Sequence, residues 1–175
     1  MQHQNLQGLN KSYIITPKNI QYHLLDLIYP MERHHVLAIA TYLKDFQLAV
    51  FIEKIFQCTF EKKYFPVNTK SKKNFIEPPV ISTYINQEFL MQNPNEEAVC
   101  SKILLLQNQI DTQIFIYKKL KSLPYFLILD PVIIQNNMDD YLNKLKSNPE
   151  ILLIKEMDNE GKENIIKNLL ILCKS

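Results

Sequence analysis

Apolar residues along this chain gather in runs about a strand long more often than in helical stripes. Val36–Leu43 and Leu48–Phe56 are two such runs, rich in β-branched and aromatic residues, with Lys44-Asp45-Phe46-Gln47 as the break between them. That spacing predicts a hairpin. One long helix over 31–57 is the competing reading, left open by Ala38-Ile39-Ala40 and Leu48-Ala49. Upstream, Tyr13–Ile15 suits a short strand stopped by Pro17. Leu24, Leu25 and Ile28 suit a helix over 19–29 that ends before Pro30. Residues 58–79 change character: lysines mixed with Asn68, Thr69, Ser71 and Asn74, closing on Pro78-Pro79, predict a loop or a partly ordered insertion. Val80–Leu90 is mixed and gives no clear element. Asn93-Pro94-Asn95 reads as a turn.

The second half carries stronger signals. Val99–Gln107 is an apolar run, Asn108-Gln109 a break, and Asp111–Leu120 a segment apolar on both faces that finishes in Lys118-Lys119-Leu120-Lys121. Tyr125–Ile134 predicts a further strand, interrupted at Pro131 and therefore at an edge or a bulge. Asn136 or Asn137 then caps a helix. Asp139 and Asp140 in its first turn and Lys144 and Lys146 in its last both suit the helix dipole. Met138, Tyr141, Leu142 and Leu145 form one apolar stripe on it, and Pro149 lies just past its end. Residues 150–157 look strand-like, and Lys162–Cys173 predicts a terminal helix that is apolar over most of its circumference. The resulting order, β–α–β–β–loop–β–β–β–α–β–α, is mainly β with helices. It predicts a small α+β barrel and not a doubly wound sheet, because the strand pairs lack intervening helices.

Composition narrows the chemistry. The chain has 175 residues, 46% of them hydrophobic, which suits one domain with a real core. The formal net charge of +2 does not by itself call for a polyanionic partner. Gly8 and Gly161 are the only glycines, so no phosphate-cradling loop and no dinucleotide fingerprint is present. Cys58, Cys100 and Cys173 show no metal or redox spacing and read as reduced thiols of an intracellular protein. The polar start has no apolar core of a signal peptide.

Candidate reactive residues each have a plainer explanation. His34-His35 is adjacent in a strand, so the two rings point to opposite faces and do not converge on a metal. Asp139-Asp140 is accounted for by capping, and Glu96-Glu97 follows a turn and reads as solvated. No Gly-flanked serine appears, and nothing near Cys58 or Cys100 in sequence lowers a thiol pKa. The chain therefore reads as non-enzymatic, with no cofactor. Lys62, Lys63, Lys70, Lys72 and Lys73 interleave with Tyr64, Phe65 and Phe75. Those residue types suit a weak single-stranded nucleic-acid surface, although a lysine-rich loop is more often simply solvated. The Met138/Tyr141/Leu142/Leu145 stripe either closes its own domain or docks a partner helix.

Two segments carry a resemblance. Ser12–Pro17 followed by Val36–Asp45, and Phe126–Ile134 followed by Asn137–Leu145, are similar in pattern to the smallest OB-fold subunit of the telomeric CST complex, the counterpart of the small subunit of replication protein A. That resemblance covers about two-thirds of the chain and holds no diagnostic motif. It implies a five-stranded Greek-key barrel over 13–175 after a leader at 1–12. The barrel would carry an insertion at about 58–98 and a helical extension at 150–175. It further implies a nuclear, telomeric, telomerase-associated setting and a heterodimer with another OB-fold subunit. Met138, Tyr141, Leu142 and Leu145 would dock that subunit, with single-stranded DNA contacted as part of the complex. The alternative is a structural subunit of a mitochondrial or ribosomal assembly, or a winged-helix module if 31–57 is helical. No membrane contact is expected.

Overall fold

Six strands pair antiparallel in one sheet, in the order β2-β3-β4-β7-β1-β8. They are β1 (His35–Thr41), β2 (Glu61–Pro66), β3 (Val80–Leu90), β4 (Val99–Gln107), β7 (Tyr125–Leu129) and β8 (Ile151–Glu156). A two-stranded ribbon, β5 (Gln109–Asp111) with β6 (Ile114–Phe115), stands beside it. The helices are α1 (Asp45–Phe56), the single turn α2 (Pro131–Ile134), α3 (Met138–Lys146) and α4 (Asn159–Cys173). This computed structural model describes residues 33–67, 79–90, 99–134 and 137–173. The expected strand at 13–15, the helix at 19–29 and the turn at 93–95 lie outside them.

The sheet is buried on both faces, which explains why its central strands read as unbroken apolar runs. Along β7, Phe126 and Ile128 belong to one core while Tyr125, Leu127 and Leu129 belong to the other. β1 divides in the same way, Val36 and Ala38 against Leu37 and Ile39. The first core is closed by Ile165 and Leu169 of α4, with Ile116 and Leu123. The second is closed by Leu48, Ala49 and Ile52 of α1 and by Leu145 of α3. The result is an α+β fold of helix, sheet and helix layers, and the expected closed barrel does not form. Among the described residues the sheet is open, with β2 and β8 as its edges, because helices cover the faces that a barrel would have curled around one interior.

The expected hairpin is corrected too. Val36–Leu43 supplies β1, but Leu48–Phe56 lies in α1, so neither the hairpin nor a helix over 31–57 is formed. Leu48, Ala49 and Ile52 are buried at helical spacing, and the Gln47 side chain accepts the Lys44 N–H at 3.0 Å to start the first turn. Gln57 ends the helix in the left-handed region, and its N–H reaches the Glu53 carbonyl. Because β1 is a strand, the condition for a winged helix is not met.

Residues 58–79, expected as a loop, contribute β2, and the unassigned Val80–Leu90 is the strand beside it. The expected strand at 111–120 is corrected to the end of β5, β6 and a 3₁₀ turn at Lys118–Leu120. The segment 125–134 is a strand only as far as Leu129, after which Asp130 Oδ1 accepts the Val132 N–H and α2 begins at Pro131. Pro suits that first helical position because its missing N–H has no partner there in any case. The helix at 138–146, the strand at 151–156 and the terminal helix stand where the pattern put them. The terminal helix begins earlier, at Asn159, where Asp158 Oδ1 accepts the Gly161 N–H at 2.8 Å as its cap.

Candidate interaction surface

The expected docking stripe faces inward. Leu145 is wholly buried, and Met138 and Leu142 pack half-buried against the same core as α1. Tyr141 stacks on Phe56 of α1 with ring centroids 4.5 Å apart. α3 is thereby fixed to its own sheet. Lys144 bonds Asp140 at 2.6 Å on the outer face, a contact that raises the Lys144 pKa. Asn137 occupies the cap position, but its side chain makes no capping bond.

The lysine–aromatic stretch divides by strand alternation. Phe65 points into the α4-side core and is buried, so it is no stacking platform. Lys62 and Tyr64 lie on the α1 side, with Tyr64 56% exposed. Lys63 bonds Glu61 at 3.1 Å in solvent. Lys70, Lys72, Lys73 and Phe75 lie outside the described residues. No continuous cationic groove is built by the members of the set that are described.

Lys62 instead belongs to a clamp. Its ammonium meets Asp45 Oδ2 at 2.6 Å and sits 5.0 Å from the ring centre of Tyr84 and 5.5 Å from that of Tyr64. The Tyr84 hydroxyl donates to the same Asp45 oxygen at 3.2 Å. β2 and β3 bring Lys62 and Tyr84 opposite one another in register, and the start of α1 delivers Asp45 above them. Burial works to raise the Asp45 pKa. The Lys62 hydrogen bond, the Phe46 N–H, the Lys62 charge and the Tyr84 hydroxyl outweigh it and hold the carboxyl below its usual range. Lys62 is pushed up by its bond to Asp45, and burial pushes up the Tyr84 and Tyr125 phenols. These directions keep Lys62 charged and both tyrosines protonated. None of the three is activated as a nucleophile or base, and the cluster serves to pin the start of α1 to β2.

A pH dependence follows from the sign of the Asp45 shift. A carboxyl held low in the folded state contributes stability that is complete above its unfolded value, about 3.9. That contribution is lost as the pH falls through the lower folded value. Asp45→Asn is expected to lower stability at neutral pH and to make the acid limb of the stability curve less steep. Urea melts at a series of pH values check this. An unchanged acid limb in Asp45→Asn would mean that the clamp contributes nothing.

His34 is buried just ahead of β1, while His35 Nδ1 meets Glu156 of β8 at 2.9 Å. Among the described residues no three of His, Cys, Asp and Glu gather in a way that could hold a metal ion. No helix among them is long and apolar enough to cross a membrane.

The surface that the sequence reading did not single out is the β8 edge. Tyr42 is 78% exposed, Leu152 54% and Leu153 52%. Tyr42 follows β1 and donates its N–H to the Glu150 carbonyl at 3.1 Å, which places it beside the start of β8. The pairing Ala40↔Leu153 is followed by Thr41↔Ile151, so Leu152 is the extra residue of a β-bulge. Ile151 and Ile154 both reach the core beneath α1 and α3, while the two leucines between them stay more than half exposed. The Ile-Leu-Leu-Ile run signals a strand in the sequence, but only its pairing with β1 shows which side chains are left in water. Phe46 and Val50, one turn apart on the outer face of α1, are exposed as well.

The chain matches no family model, no curated protein and no solved structure.

Proposed function

We propose that this chain is a non-catalytic interaction domain that holds a protein partner along the β8 edge of its sheet. One observation carries the reading: Leu152 and Leu153 stand exposed on the edge strand β8, with the exposed Tyr42 bonded beside its start. Single exposed apolar side chains are ordinary, whereas a group of them along an open sheet edge marks a contact surface. The opposite edge supports the reading by contrast. β2 presents Glu61, Lys62 and Lys63 and ends at Pro66, the residue types with which sheets discourage pairing.

The resemblance to a telomeric OB-fold subunit implied a closed barrel and an outward-facing α3 stripe. An open sheet and a stripe packed on its own core do not match those two expectations, so the proposal is confined to partner binding. A structural subunit of a larger assembly is the form that suits it. The test compares the tagged chain with its Leu152→Glu/Leu153→Glu variant in cell extract, with circular dichroism as a check on folding. Proteins retained by the natural chain should be lost from a variant that remains folded. An identical retained set would remove the β8 edge as the binding surface.

A further inference from the structure

The outer side of β8 faces no other strand among the described residues, and its backbone repeat dictates that whatever covers it be extended. We infer that the occupant is β8 of a second copy, paired antiparallel about a two-fold axis so that the two sheets become one. This deepens the proposed partner-binding role and rests on it.

The argument is one of self-complementarity. The apolar run Ile151–Ile154 is bracketed by Glu150 before it and Lys155 after it. Antiparallel alignment of two copies brings the acidic start of one run to the basic end of the other, twice by symmetry. Face matters as much as order, since side chains can pair only on the same side of a sheet. In an unbulged strand Ile151 and Ile154 would fall on opposite sides. The extra residue corrects this. Ile151 and Ile154 share the α1 side, while Lys155, opposite Ala38, and Leu153, opposite Ala40, share the α4 side. Glu150 stands in the turn that leads into β8, which the Ile151 N–H closes on the Asn148 carbonyl at 3.0 Å. In the resulting register the two bulges face each other, Leu152 and Leu153 of one copy meet those of the next, and each Ile151 meets an Ile154. Glu156 is already taken by His35 at 2.9 Å, whereas no ion pair is formed by Glu150 or Lys155 among the described residues.

Sedimentation equilibrium of the purified full chain over a range of concentrations tests the inference. The natural chain should show a reversible monomer–dimer equilibrium. Leu153→Lys, which places on this edge the residue type that guards β2, should leave a folded monomer at every concentration reached. Glu150→Lys and Lys155→Glu, each setting like charges opposite one another, should each weaken the dimer roughly tenfold at low salt. The exchange Glu150→Lys/Lys155→Glu should restore most of that loss, which no unspecific hydrophobic association would do. A natural chain that stays monomeric throughout overturns the second copy as occupant. The partner-binding reading would then still stand or fall on the extract comparison. Dimerisation indifferent to all four variants would place the contact elsewhere on the molecule.

Discussion

Asn108→Asp is expected to be the most damaging isosteric change in the chain. Asn108 is wholly buried, and its amide Nδ2 donates towards three backbone carbonyls: Leu120 at 2.9 Å, Leu123 at 3.1 Å and, more weakly, Tyr117 at 3.4 Å. Its Oδ1 accepts the Tyr117 N–H at 2.8 Å, and its own backbone bonds Pro124 and Ile116. One side chain thus ties residues 109–124 to the end of β4. An aspartate keeps the acceptor but turns an oxygen on the carbonyls, burying a charge among groups that repel it. The cost expected for an uncompensated buried charge of this kind is about 3–5 kcal/mol at neutral pH. Protonation returns one donor, so the deficit should shrink as the pH falls. Asn108→Leu removes both functions and should lack that recovery. Urea unfolding at neutral and acid pH separates the two. A loss under about 1 kcal/mol for Asn108→Asp would mean that the side chain is not the tie described.

Phe126→Ala is expected to cost about 3–5 kcal/mol. Phe126 lies at the middle of the sheet, fully buried on the α4 side, with Ala38 opposite it on β1 and Leu106 opposite it on β4. Ala38 is too small to move into the space, so most of the cavity would persist. For a domain with about 5–15 kcal/mol of total stability, the variant approaches the threshold of folding. The exposed Tyr64→Ala should change stability by no more than about 0.5 kcal/mol and serves as the matched control. Shifts in the urea midpoint at constant slope give both values. A small shift for Phe126→Ala would place the weight of the core in the other layer.

Where the sequence was legible, one residue pattern pointed to one structure. α3 is marked at both ends by charge and along its length by a stripe, and it forms where expected. β4 and β7 are apolar on both faces, and both are central. α1 was obscured because Phe46 and Val50 sit on its solvent face, which blurred the helical period into a strand-like run. β2 was obscured because an edge strand defended by lysines resembles a lysine-rich loop. The segment after Gln107 was misread for a different reason. Asn108 looked like a break, and its actual work, bonding four backbone groups of three residues in the following turns, depends on contacts that no local window contains. The exposed β8 edge was hidden in the same way. Sequence gives the α3 stripe and the β8 run equal apolar weight. Pairing β8 against β1, with α1 laid over α3, decides which of them is covered.

The place of β1 in the sheet has a consequence for biosynthesis. This early strand lies between β7 and β8, both of which leave the ribosome much later. A chain emerging in order can build β2, β3 and β4 by adjacent pairing, but β1 must wait with both edges unpaired until β7 is complete, and keeps one open edge until Glu156 has followed. The nascent chain therefore carries an apolar strand with open edges while the segments between β1 and β7 are made, an interval in which a holding chaperone would have its natural client.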